Sequence, residues 1–201
     1  MGKYNGPKHR VARKLGVNVF EKQSASLDRR LNILPGIHGK KGRRKSSEYG
    51  LQLREKQKLK AIYGLLEKQF RNYVTAAEKK KINTTDALIQ LLETRLDNMV
   101  YRMGLVNSRA MARQLVSHRH VLVNGKRVNI PSFHVKPGDI ITLRPKFASK
   151  DSIKIFAEEH LEGLLPFVTR QNLVGKLERL PEASEVPNPI DYQLVIEFYS
   201  R

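Results

Sequence analysis

Between residues 95 and 144 the hydrophobic period changes from that of a helix to that of a strand, and few folds accommodate that change in so short a span. In the run RLDNMVYRMG (95–104), Leu96, Met99, Val100 and Met103 share one face at about 100° per residue, and Asn98 and Arg102 point the other way. Gly104 suits the end of that helix, because glycine tolerates the left-handed conformation found there. Asn107 or Ser108 then caps a second helix running to about Ser117. On it Met111 and Leu115 face inward, while Arg109 and Arg113, four apart, project together on the opposite side. Val121-Leu122-Val123, Asn124-Gly125 and Lys126-Arg127-Val128 read as a hairpin with a type I′ turn. Pro137-Gly138-Asp139 turns the chain into a strand at Ile140-Ile141-Thr142-Leu143. Two short helices against a small antiparallel sheet are expected.

The charges of this stretch are one-sided. Arg95, Arg102, Arg109, Arg113, Arg119, Lys126, Arg127, Lys136 and Arg144 stand against only Asp97 and Asp139, and nearly all nine fall on positions an apolar core does not need. A face that merely solubilises a helix mixes both signs. Arginine adds a planar fork that grips phosphate in two places and stacks on bases, so this module reads as an RNA binder.

The whole chain supports that reading. Its 201 residues carry a formal net charge of +19 and suffice for one large or two small domains. A surplus of this size implies a polyanionic partner. Residues 1–45 hold 13 basic and 2 acidic side chains, 46–93 hold 9 and 6, 94–145 hold 9 and 2, and 146–201 hold 7 and 9. The binding surface is therefore expected on the first and third of these segments. There is no cysteine for a disulfide or thiolate metal site. No apolar run approaches the roughly 20 residues that cross a bilayer, and the start lacks a signal-peptide core, so a cytoplasmic protein without membrane contact is expected.

Residues 1–45 combine Gly6-Pro7-Lys8-His9-Arg10, Arg29-Arg30 and a Gly/Lys/Arg-rich run at 36–45, and read as an extended basic arm that orders on RNA. Leu15, Val17, Val19, Phe20, Leu27 and Leu31 give it anchor points. Gly39-Lys40-Lys41-Gly42 lacks the spacing and preceding strand of a phosphate-cradling loop. Residues 46–93 read as a helical domain. In it Leu59, Ile62, Tyr63, Leu66, Phe70, Tyr73 and Val74 form one continuous stripe, a short basic helix spans 76–81, and Thr84 or Thr85 caps a helix through Leu92. Residues 94–145 are the RNA-binding module. Residues 146–201 are expected to pack back on the helical domain as a helix at 152–161 with Ile153, Phe156, Ala157 and Leu161 in contact, a loop at 181–189 and a strand or extended segment at 193–199, which makes the module an insertion. The fold class is α+β.

The string Arg95-Leu96-Asp97-Asn98, Tyr101-Arg102-Met103-Gly104, Ser108-Arg109, Ala112-Arg113-Gln114-Leu115-Val116-Ser117-His118 and Val123-Asn124-Gly125 closely resembles the S4 RNA-binding domain. Tyr4-x-Gly6-Pro7-Lys8, Pro35-Gly36-x-His38-Gly39, residues 49–58, Tyr63-Gly64, residues 67–73 and the ending at 197–200 resemble the bacterial S4 family of small-subunit ribosomal proteins over almost the whole chain. The resemblance implies direct, early binding to a helical junction in the 5′ domain of small-subunit ribosomal RNA, nucleating assembly. It also implies neighbouring small-subunit proteins, messenger RNA near the channel by which it enters the subunit, a part in decoding accuracy and feedback on translation of its own message. No homo-oligomer is implied. The residues it and the charge pattern put on RNA are Lys8, Arg10, Arg13, Arg43, Arg44, Arg54, Lys58, Arg71, Arg102, Ser108, Arg109, Arg113, Gln114, His118, Asn124 and Lys126. Some family members hold zinc with four cysteines in the arm. Here His9 and Ala12 stand where the first pair would be, and Ser24 and Asp28 lie near the second, so no metal or other cofactor is expected.

Enzyme chemistry has little to start from. Thr94-Arg95-Leu96-Asp97 resembles the Gly-Arg-Leu-Asp motif of pseudouridine synthases, but there the motif lies in a large separate domain beyond the RNA module. Asp97 is instead expected to pair with a nearby arginine. His9, His38, His118, His120, His134 and His160 are scattered without ligand spacing.

Overall fold

A computed structural model describes residues 4–21, 24–42, 45–150, 153, 155, 157, 164–187 and 189–200. In chain order these form α1 (Lys8–Leu15), α2 (Ala25–Asp28), α3 (Glu48–Ile62), α4 (Glu67–Glu78), α5 (Thr84–Glu93), α6 (Leu96–Arg102), α7 (Arg109–Ser117), β1 (Val121–Val123), β2 (Lys126–Arg127), β3 (Ile140–Leu143), α8 (Pro145–Ala148), β4 (Val168–Gln171), β5 (Val174–Leu177) and α9 (Tyr192–Tyr199). The chain divides into two compact units, Met1–Glu78 with Asn188–Arg201, and Lys79–Pro187 between them. Mixed helix and antiparallel sheet make the fold α+β.

The first unit is helical and includes the basic N-terminal segment. That segment is not an extended arm where it is described. Ala12, Leu15, Val19 and Leu27 are buried, α1 lies against α3, and Arg13 donates from Nε and Nη2 to the Ile33 and Leu34 carbonyls at 2.9 and 3.0 Å. The few apolar anchors thus suffice to close a small core, with one arginine tying the following loop to α1. The expected continuous stripe over 59–74 is two helices. Gly64, at φ 60°, ends α3 after its Tyr63 cap, yet Tyr63 and Leu65 are buried in the turn itself, so the apolar sequence pattern runs on through the break. The expected basic helix at 76–81 is only the end of α4, which stops at Glu78.

The tail forms α9 rather than a strand. Its Val, Ile, Phe and Tyr content favours strands, but the Asp191 carboxylate accepts from the Gln193 and Leu194 amides and caps a helix. Leu194, Val195, Phe198 and Tyr199 then recur at helical spacing. The helix lies along α3: Gln52 Nε2 donates to Glu197 Oε2 at 3.2 Å, and the Lys56 ammonium sits 4.2 Å from the centroid of Phe198.

In the second unit, α5 is capped by Asn83, whose Oδ1 accepts from the Thr85 amide, rather than by Thr84 or Thr85. Leu96, Met99 and Val100 of α6 and Met103 at its end are fully buried, Ala112, Leu115 and Val116 of α7 are buried too, and Ser108 caps α7. Asn124 and Gly125, at φ 50° and 77°, join β1 to β2 as a type I′ turn. The sheet has five antiparallel strands in the order β2-β1-β3-β5-β4. Its last two strands place residues 168–177 with the module, and not with the helical unit as the sequence pattern leads one to expect. Their inward positions include Arg170 and Gly175, which hides the alternation a strand usually displays. Both have a packing reason: Met103 occupies the place of a Cβ on Gly175, and Arg170 donates to the Met103 and Ala157 carbonyls. Ile153, Ile155 and Ala157 are helical, and Ile153 and Ala157 are buried. Phe156 and Leu161 lie outside the described residues.

Candidate nucleic-acid interface

The basic surface of the module is built on two buried carboxylates. Glu93 ends α5 and Asp97 opens α6, and they are 0% and 3% exposed. Between them the start of α6 is stitched to a neighbouring loop: the Leu96 and Asp97 amides donate to the Phe133 and Pro131 carbonyls, and the Val135 amide donates to Thr94. That loop covers Arg95, which is 2% exposed. Arg95 donates to Asp97 through Nε at 3.0 Å and Nη2 at 2.8 Å. Arg113, from α7, meets the same carboxylate with Nε at 2.8 Å and Nη2 at 2.7 Å, and the Asn98 amide donates to it at 2.9 Å.

Glu93 does the same for the other half. Arg102 grips it bidentately, Nε to Oε2 and Nη2 to Oε1, each at 2.8 Å. Asn98 donates from Nδ2 to Glu93 Oε2 at 2.7 Å and to the Glu93 carbonyl at 3.1 Å. Its remaining oxygen accepts from Arg109 Nε at 2.8 Å, and the Arg109 guanidinium carbon lies 4.4 Å from the centroid of the Tyr101 ring. Three guanidinium groups therefore pair with two carboxylates and a fourth, that of Arg109, joins them through Asn98, so these side chains together keep a surplus of positive charge. Buried ions of this kind are tolerated only when paired and hydrogen-bonded, as here.

This changes the meaning of several sequence expectations. Arg95 is a core residue, so the nine bases of the module do not all stand outside the core. Asn98 is buried and relays Glu93 to Arg109 rather than pointing to solvent. Arg109 and Arg113 do not simply project away from the core: each has one edge docked on an internal acceptor, and the Arg102 and Arg113 side chains are 10% and 15% exposed. Ser108 accepts from the Met111 amide as a cap. Asn124 holds the corner of the sheet, its Oδ1 accepting from the Ile140 amide at 2.9 Å and its Nδ2 donating to Asp139 at 2.8 Å. Gln114, His118 and Lys126 are exposed on the same module.

In the other unit, Lys8, Arg10 and Arg71 are exposed, whereas Arg13 ties down its loop, Arg54 donates to Ser46 at 2.7 Å and Lys58 pairs with Glu55 at 2.5 Å. Arg43 and Arg44 lie outside the described residues. Glu93, Asn98 and Tyr101 were missed as organisers. The available signal was the scarcity of acids near so many arginines, which marked Asp97 but not Glu93 in the preceding helix.

A second basic corner was also missed. His120 stacks on Phe147 at 4.8 Å between centroids, with the Lys150 ammonium 5.0 Å from the Phe147 ring and His118 6.1 Å from His120. Burial, and then the neighbouring charges of His118, Arg144 and Lys150, hold the His120 pKa below its ordinary value. Among the described residues no group of three His, Asp or Glu side chains could hold a metal ion, and no helix is long and apolar enough to cross a membrane.

Comparison with known proteins agrees with this architecture. Residues 3–93 match the family described as the ribosomal protein S4/S9 N-terminal domain, and residues 94–141 match the S4 domain. The small ribosomal subunit protein uS4 of Dictyoglomus turgidum is 47% identical over 209 residues, that of Parabacteroides distasonis 47% over 203, and that of Neisseria meningitidis 47% over 208, each covering 100% of both chains. By these full-length similarities, and by an arginine-rich S4 domain built as described, the chain belongs to the ribosomal S4 (uS4) family, whose members are structural, non-enzymatic proteins of the small ribosomal subunit.

Proposed function

We propose that this protein is a structural component of the cytoplasmic small ribosomal subunit that binds ribosomal RNA directly at a helical junction of the 5′ domain and nucleates assembly there. The single observation that carries the reading is the arginine cluster of the S4 domain, in which Arg102, Arg109 and Arg113 are held in fixed planes beside exposed Gln114, His118 and Lys126. Planar forks at fixed spacing suit the phosphates and splayed bases of a folded RNA better than those of a uniform duplex. Exposed Lys8, Arg10 and Arg71, with Arg43, Arg44, Arg54 and Lys58, extend the contact to other RNA helices, and the counterions released supply much of the affinity. Other small-subunit proteins are its neighbours in the particle, messenger RNA passes nearby, and decoding accuracy and feedback on its own message are further roles of the same surface.

The test is binding to an isolated 5′-domain RNA fragment, to transfer RNA and to duplex DNA across a salt series. The expected result is a large preference for the 5′-domain fragment that survives rising salt better than the other two. Equal affinity for all three at every salt concentration overturns the proposal.

A further inference from the structure

We infer that Glu93 is a positioning residue for RNA recognition: its buried carboxylate fixes the plane of Arg102 directly and that of Arg109 through Asn98. The inference rests on the proposed RNA-binding function and concerns how that surface works. Glu93 reaches two arginines on two different helices, one by a bidentate pair at 2.8 Å and one by a relay of 2.7 and 2.8 Å steps. Tyr101 lies beneath the second guanidinium and limits its tilt. A flexible basic surface would need no such acid, and an acid placed among the cations of an RNA-binding surface weakens long-range attraction for phosphate. A buried ion pair is also weak support for stability, since apolar replacements of equal volume often do as well. What the carboxylate supplies is geometry. It holds the two guanidinium groups in one orientation before RNA arrives, so less side-chain freedom is lost on binding.

Charge and geometry predict opposite signs for one substitution. Glu93→Gln keeps the size of the side chain and raises the net charge of the protein by one. If charge alone governs affinity, E93Q binds 5′-domain RNA more tightly than the parent. If Glu93 positions the forks, E93Q binds more weakly, by about tenfold, while the slope of log affinity against log salt stays that of the parent. Arg109→Lys provides the independent arm, because it keeps the charge and loses the planar fork at a partly exposed site, where the fold is expected to survive. The same fall of about tenfold is expected, with the circular dichroism spectrum unchanged. Full-length proteins are used throughout, and affinities are referred to the folded fraction. Should E93Q fail to fold, Glu93→Asp decides in its place: it keeps the charge but shortens the reach to Arg102 and Asn98, so the same fall is expected and parental affinity overturns the inference. Either folded variant binding as tightly as the parent overturns the inference, and a parent with no preference for 5′-domain RNA removes the functional reading beneath it.

Discussion

Replacing Asp97 by alanine removes the acceptor of two hydrogen bonds from Arg95, of the Arg113 fork and of the Asn98 amide. The largest consequence falls on Arg95, whose side chain is 2% exposed and whose counter-charge stands at 2.8 Å. Taking one partner from a buried ion pair costs about 3–5 kcal/mol, several times the loss from an exposed pair. A domain of ordinary stability holds about 5–15 kcal/mol in total, so the second unit would lose a large share of its margin. At roughly 3–6 °C per kcal/mol for a unit of this size, the midpoint should fall by about 10–30 °C. Urea unfolding followed by circular dichroism measures the loss. Amide exchange at Leu96 and Asp97, which donate to the Phe133 and Pro131 carbonyls, locates it. Adding Arg95→Met to Asp97→Ala removes the stranded charge and should restore most of the stability. A loss below about 1 kcal/mol in D97A would refute the argument, because it would put this pair in the energy class of surface ion pairs.

Three further outcomes are expected. Burial acts to raise the Glu67 pKa, but hydrogen bonds from Lys56, Lys60 and the Tyr199 hydroxyl outweigh it and bring the value from 4.5 down to about 2. A carboxyl depressed in the folded state stabilises at pH above its unfolded value and loses that contribution as pH falls from about 4.5 to 2, so the parent should lose more stability over this window than Glu67→Gln; equal acid sensitivity of the two would contradict the assignment. A Cβ on Gly175 would fall on the Met103 side chain in a filled core, so Gly175→Ala should cost about 1–3 kcal/mol in urea unfolding. Asn124→Ala loses the side-chain bond to the Ile140 amide and strains a left-handed position, and should cost about 1–2 kcal/mol, with Asn124→Gly relieving the strain part of that loss.

Elements governed by neighbours in sequence were legible from the chain alone. Gly104 stops α6, Ser108 caps α7, Asn124-Gly125 turns the hairpin and Pro137-Gly138-Asp139 leads into β3, each by local backbone rules that need no tertiary partner. The one-sided charge, the α+β class and the ribosomal family followed from the same residues. Tertiary structure alone decided which cations face inward. Arg95 is buried because the 131–135 loop folds over the start of α6, and Arg102, Arg109 and Arg113 are oriented by Glu93, Asp97 and Asn98 from other turns and helices. It also decided that β4 and β5 complete the sheet, with an arginine and a glycine on their inner face, and that the tail coils into a helix along α3. Local propensity and periodicity report which face a residue can take. Whether a charge on that face meets solvent or a buried carboxylate depends on segments brought together only when the chain closes on itself.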